Sequence, residues 1–221
     1  MNRRDFLKAA IGSMTLFLSG CGVNAVAENQ NQNEIKNISG GDILKIVVIT
    51  GSPHSDDSST SKFLAQKFIE GAQSKGHEIF TFDADKEDTH PCKGCDSCGM
   101  NGPCIFKDAI ETKLMPKMLE SDLIVLVSPL YYFGMSAQLK IIVDRFYSRT
   151  TKLNGKKSIM MATAWNSADW TFEALQNHYE TLVRYMNWSD VGQIWATGCG
   201  VRSLVERSEF AQTAFNLGAN L

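Results

Sequence analysis

The sequence predicts an α/β fold, in which five parallel strands form a doubly wound sheet with the order 2-1-3-4-5. Five short runs rich in apolar residues alternate with segments whose apolar residues recur at helical spacing. The first and third runs are apolar along nearly their whole length, which is typical of parallel strands that helices cover on both faces. Right-handed crossovers leave few strand orders, and in this one a ligand crevice lies where the first and third strands diverge.

The first strand is predicted at residues 43–50, where β-branched residues dominate, and Gly51-Ser52-Pro53 ends it. The helix that follows has one apolar face, formed by Phe63, Leu64, Phe68 and Ala72. Gly76 ends this helix. The second strand, at residues 78–83, is more polar than the first, so we expect it nearer an edge of the sheet.

The rest of the chain repeats this alternation. Residues 122–127 are almost entirely apolar and predict a third, fully buried strand, and the next helix places Leu139, Ile142, Val143 and Phe146 on one face. The remaining strands are predicted at residues 158–163 and 193–197, and the remaining helices at 109–119, 136–147, 171–186 and 205–217.

The loop after the first strand, residues 51–60, has the composition of a phosphate-binding site. It leads into a helix N-terminus, whose first N–H groups have no partners within the helix and whose dipole favours an anion. The loop offers the hydroxyls of Ser52, Ser58, Ser59 and Thr60, with His54 among them. Serines at such positions also cap helices without binding a ligand, so this loop alone leaves both interpretations open.

The loop after the third strand is rich in aromatic residues, with Tyr131, Tyr132, Phe133 and Gly134 in succession. A flat heterocycle needs an apolar stacking surface and backbone N–H groups at its edge, and such a loop offers both. In the predicted strand order this loop lies beside residues 51–60. The alternative is that these aromatic side chains only cover the end of the sheet.

Four stretches together form a recognisable pattern: Gly51-Ser52-Pro53-His54, Ser58-Ser59-Thr60, residues 128–140 and Asp144-Arg145. This pattern resembles that of the NADPH-dependent FMN reductase family. The resemblance extends over about residues 44–218. It implies a flavodoxin-like domain that binds FMN, an oxidoreductase activity with NAD(P)H as donor, and a homodimer with the flavin near its interface.

The resemblance also implies which residues contact FMN. The phosphate is expected on Ser52, Ser58, Ser59 and Thr60, with His54 nearby. The edge of the isoalloxazine ring is expected at Pro129, Leu130, Tyr131, Tyr132, Phe133 and Gly134, and its other side at Thr163 and Trp165. Asp56 and Asp57 depart from the family pattern, in which Asn-Gly or a similar pair is common at these positions. Two carboxylates near a phosphate are unfavourable unless they point to solvent.

Four cysteines form a C-x₂-C-x₂-C-x₅-C pattern, made by Cys92, Cys95, Cys98 and Cys104. Three sulfurs at three-residue spacing can converge on one centre where glycines let the backbone turn. Four thiolates suit an iron–sulfur cluster, and the spacing is similar to that of iron–sulfur flavoproteins, which implies a [4Fe–4S] cluster. Structural zinc, two disulfides and free thiols are the alternatives. Cys199 stands apart and is expected to be a buried, inert thiol.

Residues 1–20 have the organisation of an export signal, with a basic start and a short apolar stretch. Arg3-Arg4 followed by Phe6-Leu7-Lys8 resembles a twin-arginine signal, and residues 18–21 resemble a bacterial lipobox that would make Cys21 the lipid-modified first residue. Residues 21–41 are polar and predict a disordered tether before a domain at 42–221. We therefore expect a lipid anchor to a bacterial membrane, on its periplasmic or cell-surface side. The alternative is an ordinary secretory leader in which Cys21 has no role.

Charge and motif content narrow the function. The net charge of −2, with no basic stripe, argues against nucleic acid as a partner. We therefore expect an FMN-binding oxidoreductase that passes electrons from NAD(P)H, a quinone or a redox protein to an acceptor that the sequence does not identify. No catalytic acid or base is predicted, because the flavin carries the chemistry. The alternatives are a membrane-tethered, non-catalytic electron carrier of the flavodoxin type and a cofactor-free interaction module.

Overall fold

The computed structural model of the chain describes residues 42–221. The signal peptide, the lipobox with Cys21 and the tether, all predicted within residues 1–41, lie outside the described residues. Within residues 42–221, no helix is long and apolar enough to cross a membrane.

Six strands and six α-helices make up the described part of the chain. The strands are β1 (Lys45–Thr50), β2 (Glu78–Asp83), β3 (Leu123–Tyr131), β4 (Gly134–Met135), β5 (Lys157–Thr163) and β6 (Ser189–Ala196). The helices are α1 (Thr60–Gln73), α2 (Met115–Glu120), α3 (Ala137–Arg145), α4 (Glu173–Tyr185), α5 (Arg202–Arg207) and α6 (Glu209–Ala219). A π-helical turn, Ile110–Leu114, leads into α2, and a 3₁₀ turn, Phe146–Arg149, follows α3.

The sheet has the order β2-β1-β3-β5-β6, and these five strands are parallel. The short strand β4 pairs only with β3 and runs antiparallel to it, so it is not one of the five predicted strands. The fourth and fifth predicted strands are therefore β5 and β6, and the predicted doubly wound order is confirmed. β1 and β3 are neighbours in the sheet. Their connections to α1 and α3 therefore leave the same edge of the sheet from adjacent strands, which is where such folds bind ligands.

Two apolar cores lie on the two faces of the sheet. Successive side chains of a strand point to opposite faces, so Ile46 and Val48 of β1 lie in one core and Val47 and Ile49 in the other. The first core is closed by residues of α1, α5 and α6, and the second by residues of α2, α3 and α4. Helices thus cover both faces, as the apolar strand runs predicted.

The C-terminal helix predicted at residues 205–217 is wrong in its bounds, because the structure has two helices there. Ser208 has φ −84° and ψ 160°, an extended conformation, and it ends α5 and begins α6. The apolar periodicity continues through this break, since Val205 of α5 and Leu217 of α6 lie in the same core. The spacing of apolar residues therefore did not reveal the change in direction.

Candidate functional site

The loop between β1 and α1 presents unpaired backbone donors at the start of α1. The Ser59 side chain caps this helix by accepting a hydrogen bond from the Lys62 N–H at 3.2 Å. Within residues 42–221 the N–H groups of Thr60 and Ser61 have no hydrogen-bond partner. No acidic residue lies in the first turn of α1. Free donors and the helix dipole therefore favour an anion at this end.

The predicted phosphate residues all lie in this loop, but their hydroxyls differ in what they contact. Ser52 and Ser59 are buried, and the Ser59 hydroxyl donates to the Ser52 hydroxyl at 2.9 Å, so these two shape the loop. Ser58 and His54 are exposed. Thr60 reaches across to the end of β5, where its Oγ1 lies 2.8 Å from Oγ1 of the buried Thr163. Ser59 therefore caps α1, while the N–H groups of Thr60 and Ser61 remain available to a ligand.

Two lysines neutralise Asp56, which departs from the family pattern. The Lys86 Nζ lies 2.8 and 2.9 Å from its carboxylate oxygens, and the Lys62 Nζ lies 3.5 Å away. The hydrogen bond from Lys86 holds the pKa of Asp56 below its ordinary value. Lys62 is buried and also pairs with Asp83 at 2.7 Å. Asp56 therefore forms ion pairs with both lysines, which hold the loop in place. Its side chain remains 68% exposed to solvent.

The aromatic loop, the second of the two loops predicted to form the site, is a tight hairpin between β3 and β4. Tyr131 pairs with Gly134, which leaves Tyr132 and Phe133 as the two turn residues. Their φ angles are 46° and 64°, as a two-residue hairpin turn of this kind requires. For residues other than glycine this left-handed conformation costs about 1–3 kcal/mol each and is concentrated at binding sites. Tyr132 is fully exposed.

Pro129 and Leu130, which the resemblance placed in the ring-binding loop, form the end of β3 in the structure. Pro129 is buried and Leu130 is half-buried. They therefore present mainly backbone at this edge of the sheet. The hairpin itself was not predicted, because a strand of two residues has no periodicity that a sequence could reveal.

Ser136 joins this hairpin to the first loop. Its hydroxyl donates to the Gly51 carbonyl oxygen at 2.5 Å and accepts from the Leu139 N–H at 3.3 Å, which caps α3. Its own N–H donates to the Ser128 hydroxyl at 2.9 Å. A Cβ atom at Gly51 would lie 2.6 Å from the Ser136 hydroxyl oxygen, so only glycine permits this approach. The two loops that the strand order predicted as neighbours are therefore in direct contact.

Trp165 lies at the same end of the sheet as these two loops. It follows β5, and 74% of its surface is exposed. Its ring lies on Gly200, where an added Cβ would come within 1.9 Å of the ring. Nearby, Trp170 packs against Phe133 of the hairpin, with ring centroids 5.2 Å apart. Gly200 and Trp170 were not predicted as site residues, because a single glycine or tryptophan in a loop has no spacing signal.

The four cysteines of the predicted motif line one cavity. Cys92 and Cys95 are exposed, Cys98 and Cys104 are half-buried, and all four are free thiols. The empty space is about 340 Å³, including part that is open to solvent. In the described part of the chain, no three His, Cys, Asp or Glu side chains are grouped to hold a single metal ion.

Arg145, at the end of α3, holds the cysteine segment through a buried ion pair. It is 1% exposed, and its terminal nitrogens lie 2.7 and 3.2 Å from the two carboxylate oxygens of Asp108. It also donates to the His90 carbonyl at 2.9 Å. Burial raises the pKa of Asp108, but hydrogen bonds led by that from Arg145 more than offset it, so the pKa lies below its ordinary value. The sequence indicated Arg145 only as part of a family resemblance.

Arg149, four residues after Arg145, makes a second connection to the cysteine segment. It pairs with Glu111 at 2.5 Å and donates to the Gly102 carbonyl. Glu111 in turn accepts a hydrogen bond from the Cys104 N–H at 3.2 Å. The cysteine segment is therefore fixed to the helix that follows the aromatic hairpin. Sequence reasoning missed this, because the partners are distant in the chain.

Comparison with known proteins places these features in a family. A family model described as NADPH-dependent FMN reductase matches residues 44–200. An iron–sulfur flavoprotein of Methanocaldococcus jannaschii is 38% identical over 103 residues, which are 46% of this chain and 51% of that protein. One from Methanosarcina thermophila is 31% identical over 102 residues, or 46% of this chain and 52% of that protein. The chain spans about half the length of the curated relatives it matches.

Solved structures share the fold at low sequence identity. An NAD(P)H:quinone oxidoreductase from Methanothermobacter marburgensis has a TM-score of 0.65 at 15% identity, and the match covers 81% of this chain and 97% of that chain. An azoreductase from Bacillus anthracis has a TM-score of 0.60 at 13% identity and covers 81% and 100% of the two chains. These likenesses concern the fold, whereas the family match extends over most of residues 42–221. The chain therefore belongs to the NADPH-dependent FMN reductase family of flavin-dependent oxidoreductases.

Proposed function

We propose that the protein is an FMN-binding oxidoreductase. The observation that carries the proposal is the junction of two loops through Ser136 and Gly51, which sets the unpaired N–H groups of Thr60 and Ser61 beside an aromatic hairpin. An anionic tail and a flat ring are the two parts of FMN that these two loops suit. Bound FMN supplies hydride and single-electron chemistry.

The chain's own residues bind and orient the cofactor in this proposal. The start of α1 takes the phosphate, with Ser58 and Thr60 as additional donors and Ser52 and Ser59 holding the loop in shape. The edge of the ring lies against the backbone of residues 129–134. Trp165, held on Gly200, covers the other side and excludes water from it. None of these residues needs to act as an acid or a base.

We further propose that the four cysteines hold a [4Fe–4S] cluster. Four free thiols around one cavity supply the required ligand set. Zinc suits them less well, because one ion needs all four sulfurs within about 2.3 Å of a single point. The sulfurs are not gathered in that way. A four-iron cluster takes one thiolate at each iron and therefore tolerates a wider arrangement. The names of the Methanocaldococcus and Methanosarcina relatives support the same assignment.

The electron donor follows from where the protein acts. We propose export through the twin-arginine-like signal and anchoring through lipid on Cys21, with a homodimer as the working unit. Nicotinamides are not expected outside the cytoplasmic membrane, so the donor would be a quinone or a redox protein. NAD(P)H would then support only slow turnover.

Freshly purified full-length protein tests the cofactor proposal through its visible spectrum, with iron and sulfide assays beside it. Flavin bands, together with about four irons and four sulfides per chain, are the expected result. Steady-state turnover with NADPH, NADH and a quinol then compares donors. Turnover that is fastest with NADPH by orders of magnitude would contradict the proposed donor. Colourless protein that takes up no added FMN would contradict the proposed function as a whole.

A further inference from the structure

Arg145 has one buried hydrogen-bond donor that nothing accepts. Its two terminal nitrogens are engaged by Asp108 and the His90 carbonyl, but its Nε has no partner. Within residues 42–221, only His77 Nε2 and Thr171 Oγ1 share this condition among buried side-chain atoms. A buried donor without an acceptor destabilises the folded state, so an unpaired one in a native protein calls for an explanation.

The surroundings of Arg145 indicate what the acceptor is. Arg145 lines the same cavity as the four cysteines. Phe106 also lines it, and the face of its ring lies 5.3 Å from the Arg145 guanidinium carbon. Asp108 grips the guanidinium by both terminal nitrogens, so the side chain cannot rotate to find another acceptor. Arg145 is therefore a fixed part of the wall of the cysteine cavity, and one of its buried donors is unpaired.

We propose that Arg145 is a positioning residue for the metal–sulfur group of that cavity, and that its Nε–H donates a hydrogen bond to a sulfur of the group. This inference rests on the proposed function, because it requires that the cysteines hold such a group. Thiolate and sulfide carry negative charge and accept hydrogen bonds, and such bonds help to set the reduction potential of iron–sulfur sites. Because Asp108 balances the charge of the guanidinium, Arg145 acts through this one directed donor.

Arg145→Lys tests the proposal. Lysine keeps the positive charge and can pair with Asp108, but it has no counterpart of the Nε–H, which the rigid plane of the guanidinium holds in a fixed direction. Wild-type and variant proteins are reconstituted anaerobically with FMN, iron and sulfide, and the cluster is titrated with dithionite under electron paramagnetic resonance. Iron and sulfide assays give the cluster content of each protein, so that the potentials are compared for assembled clusters. We expect a more negative midpoint potential in the variant, because reduction adds charge that the donor no longer stabilises.

Arg149→Lys is the matched control. Arg149 braces the same segment through Glu111 and the Gly102 carbonyl, but it does not line the cavity. A purely structural role would make the two variants alike, with less cluster bound and an unchanged potential in the cluster that assembles. Under the proposal, Arg149→Lys lowers only the amount of bound cluster, whereas Arg145→Lys also shifts the midpoint potential of the cluster.

A second measurement needs no variant and covers the case in which Arg145→Lys does not fold. Wild-type protein labelled with ¹⁵N only in arginine should show a ¹⁵N hyperfine coupling in the pulsed spectrum of the reduced cluster. Absence of that coupling, or a wild-type potential in Arg145→Lys, overturns the inference and leaves the cluster assignment intact. Wild-type protein that binds FMN but no iron overturns the cluster assignment and the inference together.

Discussion

The Ser136 hydroxyl donates a hydrogen bond to the Gly51 carbonyl oxygen at 2.5 Å, although the two residues are 85 positions apart in the chain. This bond joins the turn that follows β1 to the start of α3. The same hydroxyl caps α3. One buried side chain therefore contacts both the loop that follows β1 and the helix that follows the aromatic hairpin.

Replacing Ser136 by alanine should weaken both stability and FMN binding. Loss of a helix cap and of a partner for a buried carbonyl predicts a decrease of about 1–2 kcal/mol in the free energy of unfolding, measured with urea. Ser74→Ala is the control, because the Ser74 hydroxyl donates to the Gly71 carbonyl at the far end of α1. Equal FMN affinity in the two variants would contradict the role of Ser136.

Gly200→Ala should displace Trp165, because the added Cβ would come within 1.9 Å of its ring. Overpacking of this kind typically costs about 1–3 kcal/mol of stability. The size of this effect should fall sharply in a Trp165→Ala background, where the clash is absent. A double-mutant cycle by urea unfolding, with FMN titration of each protein, measures the coupling. Additive effects would show that the two residues do not depend on each other.

Cys98→Ala should reduce the iron content of reconstituted protein, because it removes one of the four proposed cluster ligands. Cys199→Ala is the matched control, since Cys199 is buried in the core closed by α1, α5 and α6 and does not line the cavity. Burial raises the pKa of the Cys199 thiol, as befits an inert side chain. Iron assays and flavin content on both variants give the comparison. A loss of iron in Cys199→Ala equal to that in Cys98→Ala would contradict the assignment.

The buried, neutral ring of His77 should make the free energy of unfolding decrease in mild acid. Its Nδ1 accepts a hydrogen bond from the Leu44 N–H at 3.1 Å, and burial lowers its pKa below the usual 6.5. As pH falls through about 6.5, the unfolded chain therefore binds a proton that the folded chain does not. Stability contributed by the neutral ring is present above that pH and is lost below it, by at most about 1.4 kcal/mol per pH unit.

Urea unfolding of wild type and His77→Gln between pH 7.5 and about 5 isolates this contribution, because all other titrating groups are shared. The difference in free energy between the two proteins should narrow as the pH falls. A constant difference across the range would contradict the assignment to His77.

Much of the fold could be predicted from the sequence, because β1 and β3 are continuous apolar runs and parallel order follows from their alternation with helices. The neighbouring loops of the site followed from the same strand order. The hairpin turn at Tyr132 and Phe133 could not be predicted, since aromatic residues at positive φ contradict local propensity. The Arg145–Asp108 pair was also beyond reach, because the two residues are 37 positions apart and neither has a spacing signal.

The most direct test of the central claim is a titration of apoprotein with FMN and with riboflavin, followed by flavin fluorescence. The two ligands differ only in the phosphate, which we propose binds at the free N–H groups of Thr60 and Ser61. We predict that FMN binds at least about tenfold more tightly, or about 1.4 kcal/mol. Equal affinity for the two flavins would contradict the phosphate site, and binding of neither would contradict the account of the crevice.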